Sequence, residues 1–121
     1  MNTPRPIPGW HPSTPAITGP GYDDLIRRHP AVLIHFWAAW NAHDRAMDGV
    51  IRAIQGRFAG RVHFASCDID QDGGELYRRF GVVNIPTLGL IVAGAVRKPS
   101  IIGIPEPDRL AAAIESRLAS G

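Results

Sequence analysis

This chain of 121 residues predicts an α/β fold, a mixed β-sheet held between helices. Three observations predict it. A short apolar run rich in branched residues stands at Ala31–Trp37, and a second strand reads over 62–69. Between them Met47, Val50, Ile51, Ile54 and Phe58 recur at helical spacing. Beyond them, two further runs flank Ala93-Gly94, which reads as a hairpin turn. Strand, helix, strand in that order makes a parallel crossover, whereas a hairpin is antiparallel, so the sheet is mixed.

Each element has its own signal. Pro30 bounds the first strand, which is apolar almost throughout and therefore reads as buried. The long helix begins at Asn41 and ends at Gly60, a residue suited to helix termination. A second strand covers 62–69. Leu76, Tyr77 and Phe80 mark a short helix closed by Gly81. Strands follow at 87–92 and 95–102, and Pro99 inside the last of them predicts an edge strand. Leu110, Ile114 and Leu118 share one face of a closing helix over 108–118. The length suits one domain with a sizeable core.

Residues 1–13 read as a Pro-rich flexible arm ahead of a domain over 14–121. Six of the eleven prolines precede residue 21. Trp10 is expected to be a loosely ordered residue of that arm. The first twenty residues contain no apolar stretch of the secretory kind. No run approaches transmembrane length, so no membrane association is expected. With one cysteine and no export signal, the expected compartment is cytoplasmic. Net charge is +2, with acids and bases interspersed. Arg27-Arg28 and Arg78-Arg79 read as solvated helix faces. No aromatic-and-basic stripe accompanies them, so no nucleic-acid partner is expected.

The segment Phe36-Trp37-Ala38-Ala39-Trp40-Asn41-Ala42-His43-Asp44-Arg45 resembles the active-site turn of thioredoxins, F-W-A-x-W-C-x-x-C-[KR]. Asp68-Ile69-Asp70-Gln71 is similar to the strand end and N/D-x-D turn of that family. Phe80-Gly81-Val82-Val83-Asn84-Ile85-Pro86-Thr87 resembles its Y/F-G-[IV]-x-x-[IV]-P-T, whose proline follows a cis peptide bond. Gly103 stands at the family's late glycine. The resemblance covers roughly residues 15–119. It implies the thioredoxin fold, a central mixed sheet flanked by helices.

Both cysteine positions of the turn are filled otherwise, by Asn41 and Asp44, and the one cysteine is Cys67. A dithiol cycle needs two thiols within bonding reach, so this chain is expected to be redox-inactive by itself and no dithiol enzyme. By resemblance, His35 occupies the place of the family's buried acid, Ser66 that of a neighbouring lysine, and Gly49 that of a helix-kinking proline. The whole catalytic unit has changed together.

Local rules offer a structural account of the replacements. Asn41 is a favoured N-cap. Asp44, three residues on, is placed to bond back to the N-cap N–H and face the positive helix end. His35 reads as a core histidine and His43 as an exposed first-turn residue. His35, His43 and Asp44 lack a spaced ligand motif, so no metal and no cofactor are expected. A hydrolase or metal enzyme built on His43 and Asp44 is disfavoured, because adjacent helical residues point in different directions. Cys67 reads as a small core hydrophobe, redox-sensitive only if exposed.

The resemblance also implies a groove. The residue before the cis proline, Ile85, would offer its backbone to an extended segment, bordered by Trp40 and Pro86. Such strand addition needs no sulfur. The expected function is therefore a protein- or peptide-binding, chaperone or assembly module with an unidentified protein partner. The alternative is a thiol–disulfide oxidoreductase-related role in redox homeostasis, through Cys67 or a partner's cysteine.

Overall fold

The structure, a computed structural model, describes residues 9–72 and 74–119. In chain order the elements are α1 (Gly19–Arg28), β1 (Ala31–Trp37), α2 (His43–Ile54), β2 (His63–Asp68), α3 (Glu75–Arg79), β3 (Thr87–Val92), β4 (Ala95–Ile102) and α4 (Pro107–Ala119). A short 3-10 segment, Gln55–Phe58, prolongs α2. The strands lie in the order β2-β1-β3-β4. β1 pairs parallel with β2 and antiparallel with β3, and β3 pairs antiparallel with β4. This is the thioredoxin fold.

Side chains alternate across a strand, so β1 feeds two cores. Leu33 packs with Met47, Ile51 and Ile54 of α2 and Leu110 and Ile114 of α4. Val32, Ile34 and Phe36 pack on the other face with Tyr22 of α1, Leu76 of α3 and Phe80. Every residue of β1 is buried, His35 included, as its almost continuous apolar run predicts. Gly89 in β3 allows Phe80 to lie against Phe36, because a Cβ there would stand 2.6 Å from the Phe80 ring.

α2 starts at His43, two residues later than its sequence signal. α1 is the element whose bounds the sequence does not announce. Pro20 favours its first turn, but the bond that fixes its start is distant: Gly19 N–H donates to Asp72 Oδ1 at 3.0 Å. β4 is an edge strand containing Pro99, as expected. Arg117 of α4 donates from Nε and Nη2 to the Pro99 carbonyl, at 3.0 and 2.8 Å.

Residues 10–17 are held against the domain, contrary to the expectation for Trp10. Its ring meets Trp37 edge-on, with centroids 5.5 Å apart. Ser13 donates from its N–H and its hydroxyl to Asp48 Oδ1, both at 3.0 Å. Ala16 forms one parallel bridge with Ser66, and the Ser66 hydroxyl donates to the Thr14 carbonyl at 3.0 Å. An edge-on aromatic pair contributes about 0.5–1.5 kcal/mol beyond the area it buries, which offsets part of the chain freedom lost on docking. The rest of the arm, residues 1–8, lies outside the described residues.

Gly49 is exposed within α2, and a Cβ there would meet nothing within 4 Å. Gly49→Ala is therefore expected to stabilise the protein by about 0.5–1 kcal/mol, through helix propensity and a less flexible unfolded chain. A urea midpoint that does not rise would show that this turn of α2 has another constraint.

Candidate functional site

The site turn leaves β1 at Trp37. Asn41 N–H donates to the Ala38 carbonyl at 3.0 Å, and Asp44 N–H donates to the Asn41 carbonyl at 3.2 Å. Two tight turns thus carry the chain from the strand into α2. Asn41 holds them in place from its side chain. Its Oδ1 accepts the His43 N–H at 3.1 Å, so it caps the chain just ahead of the helix. Its Nδ2 donates to the Ile85 carbonyl at 2.9 Å. The Ile85–Pro86 peptide is cis.

This last bond amends the expectation for Ile85. Its carbonyl, one of the backbone groups expected to face a bound segment, already accepts from Asn41. Pro86 is buried and does not line the adjoining groove.

Asp44 departs furthest from expectation. It does not turn outward to close a capping box, and α2 has no side-chain cap bond at its N-cap, Ala42. Its side chain is wholly buried. Oδ1 lies 3.0 Å from His35 Nε2, and Oδ2 accepts the Ala38 N–H at 3.1 Å. A carboxylate is acceptor-only, so the histidine tautomer facing it carries its hydrogen on Nε2. His35 is a core histidine as expected, and Asp44 is its partner. The reason is helical phase. Asp44 lies three residues before Met47 and seven before Ile51, both fully buried, so it sits on the inward stripe of α2. Once inside, the carboxylate needs donors, and His35 and the Ala38 N–H supply them.

His43 is exposed on the next position of the same turn. The structure therefore does not bring His43 and Asp44 together as one reactive pair. Among the described residues no group of three metal-ligating side chains forms a cluster.

Cys67 lies in β2 and is fully buried. Burial, with smaller help from Asp72 and Asp68, pushes its thiol up to about 12 from the ordinary 9.0. The thiolate is the reactive form, so the native thiol is inert at neutral pH. Alkylation is expected only at the rate of unfolding. The sign for stability follows from linkage: this contribution is full below the unfolded pKa and is lost as pH rises from 9 toward 12. Rapid labelling of the native protein at pH 7 would show that β2 opens.

Beside the turn lies an open groove of about 360 Å³. Trp40, Asn41, Asp70, Tyr77, Val83 and Ile85 are among the residues lining it. Trp40 is 59% exposed and Val83 82%. The indole Nε1–H donates to Asp70 Oδ2 at 3.0 Å, which fixes the ring as one wall. Asp70 is presented by its own turn, in which its N–H donates to Asp68 Oδ1 at 3.0 Å. Asp70, Tyr77 and Val83 are groove residues that the sequence reading did not select. The D-x-D signal at 68–70 was the available clue to Asp70. A groove with apolar walls, one carboxylate and no reactive nucleophile suits binding rather than bond cleavage.

Residues 13–116 match the family described as Thioredoxin. A thioredoxin of Alicyclobacillus acidocaldarius is 31% identical over 100 residues, covering 83% of this chain and 93% of that protein. A thioredoxin of Synechocystis is 26% identical over 107 residues, covering 88% and 98%. Among solved structures, a chain from work on the thiol-resolving mechanism of yeast mitochondrial 1-Cys peroxiredoxin via glutathione and thioredoxin systems superposes with a TM-score of 0.72. It is 25% identical, over 86% of this chain and 95% of that one.

Proposed function

This chain belongs to the thioredoxin family, and from that premise we propose that it works without a dithiol, as a protein- or peptide-binding module of the chaperone or assembly kind. One observation carries the reading. The two side chains at the family's cysteine positions are both committed inside the protein, Asn41 to Ile85 and Asp44 to His35 and Ala38, while the groove beside them stays open. Chemistry has been exchanged for structure at the turn, and the apolar wall has been kept. The partner is an extended or unfolded polypeptide, held by Trp40 and the loop 82–85. The proposed setting is the cytoplasm, on the ground of the single cysteine in the sequence; among the described residues no helix is long and apolar enough to cross a membrane.

The relatives named thioredoxin favour a second reading, a role in thiol exchange that borrows a partner's cysteine. The burial of Cys67 counts against any role for the chain's own thiol.

Two measurements decide between them. Insulin reduction with dithiothreitol should proceed no faster than in buffer; catalysis that survives Cys67→Ser would sink the redox-inactive reading. Adding an unfolded, fully alkylated polypeptide should move amide NMR signals at 40–44 and 82–87. Trp40→Ala should weaken that binding by about ten- to thirtyfold, the loss typical of a central aromatic contact, without moving the urea midpoint. Shifts confined to the far helices would mean that the groove is not the working surface.

A further inference from the structure

We propose that the cleft between the segment 11–18 and β2 is a second binding site, for a small aromatic amine in its ammonium form. The cleft is separate from the groove at Trp40. The turn 68–71 stands between them, with Ile69 and Asp70 lining the groove and Asp68 and Gln71 lining the cleft. The cleft has a volume of about 450 Å³. Three observations support the proposal.

The first is placement. Residues 11–18 form one side of the cleft, and Trp37, Ser66, Asp68 and Gln71 form the other. Side chains two apart on a strand share a face, so Ser66 and Asp68 point the same way. Trp37 of β1 is the register partner of Asp68, which sets indole and carboxylate side by side on that face. The Ser66 hydroxyl ties this face to the opposite side through the Thr14 carbonyl, at 3.0 Å. Pro15, Ile17 and Trp37 supply apolar walls. A concavity of this size, apolar with a few polar groups, is the usual form of a small-molecule site.

The second is an unmet hydrogen bond. Thr14 lines the cleft and is only 7% exposed. Its Oγ1 has no hydrogen-bond partner among the described residues. The large majority of buried polar side-chain atoms have one. An N–H of a molecule in the cleft would supply it.

The third is the sign of the polar groups. Asp68 is the one Asp, Glu, Lys or Arg lining the cleft. Its Oδ1 accepts the Asp70 N–H, and Oδ2 is left for a ligand. His11 Nδ1 lies 2.9 Å from the Pro12 carbonyl, so it carries the hydrogen and Nε2 of the neutral ring accepts. The Ser66 hydroxyl spends its hydrogen on Thr14 and also accepts. Two more carboxylates anchor the ends of the segment, Asp48 at Ser13 and Asp72 at Gly19. Acceptors grouped around a carboxylate select a cation with hydrogens to give. An ammonium has three and accepts none, and an indole attracts it further. Walls of proline and indole rings suit a flat apolar body.

The test uses the full chain and phenethylammonium, with phenylpropionate and phenethyl alcohol as anionic and neutral counterparts. Phenethylammonium should shift amides 11–18 and 66–71 and the Trp37 indole N–H, with a dissociation constant on the order of a millimolar. The counterparts should bind at least about tenfold more weakly. Asp68→Asn keeps an oxygen for the Asp70 N–H and should weaken phenethylammonium about tenfold. Thr14→Val should weaken it about three- to fivefold without lowering the urea midpoint, because the hydroxyl has no partner to lose. A lowered midpoint would show that the hydroxyl is already satisfied and would overturn the proposal. So would equal binding of the three probes, or shifts at 82–87 in place of 11–18. Tighter binding of Nα-acetyl-lysine amide would assign the cleft to a polypeptide's lysine instead of a small amine, and would also overturn it. If Asp68→Asn does not fold, the three probes on the parent chain decide. Polypeptide binding at the groove stands or falls separately.

Discussion

Asp44→Ala is expected to lower the free energy of unfolding by about 2–6 kcal/mol, since each of the two buried donors it leaves unpaired costs about 1–3 kcal/mol. The substitution strands the His35 Nε2–H and the Ala38 N–H, both of which the carboxylate now accepts. It also leaves a space in a region that is fully buried. A lost helix cap would cost only about 0.5–2 kcal/mol, so the size of the effect separates the buried pair from the capping role that the sequence suggested. The double variant His35→Leu with Asp44→Leu should recover the part of the loss owed to His35, since replacing both partners of a buried hydrogen bond by apolar groups is nearly neutral, while the Ala38 N–H stays unpaired. Urea midpoints for the two single variants and the double variant form the cycle. Additive losses would mean that His35 and Asp44 are not coupled.

The second large effect is a gain. Asn41→Cys with Asp44→Cys should form an internal disulfide on mild oxidation. The backbone already closes the turn between these positions, through the bond from Asp44 N–H to the Asn41 carbonyl. Disulfide geometry requires such proximity and tolerates little else. The variant loses the Asp44 contacts, so it will be less stable than the parent. Intact mass after oxidation and alkylation reads the outcome directly. A product two hydrogens lighter with no alkyl groups is expected. Two alkylated thiols at these positions would show that the turn has been rebuilt along with its chemistry.

The sheet was legible because its signals are local. A seven-residue apolar run, rich in branched residues and bounded by Pro30, reads as an interior strand even with His35 inside it, and β1 follows the run at Ala31–Trp37 residue for residue. Pro99 excludes its strand from the sheet interior for a reason any sequence displays. Local rules failed where the deciding partner was remote in sequence. Asn41 and Asp44 look alike as capping residues. Yet Asn41 reaches Ile85, forty-four positions on, and Asp44 reaches back to His35. The helical phase of Asp44 with Met47 and Ile51 was visible, but capping rules outweighed it. Trp10 follows the same pattern: nothing near it in the chain foretells its contact with Trp37. The groove was located through Trp40 and Ile85, while Tyr77 and Val83 arrive there only by tertiary packing.

The two borders of the sheet carry a consequence for how this protein behaves when concentrated. Along β2 the backbone of residues 15–17 occupies the outer rim at Ser66. Along β4, proline removes one donor and the Arg117 guanidinium takes up that residue's carbonyl. Neither rim offers an uninterrupted row of amides on which another chain could template a strand. Cover of the β2 rim therefore rests on residues 15–17. A fusion or proteolytic cut that removed residues up to 17 would unmask the β2 rim, and such a product should precipitate before it loses its helices.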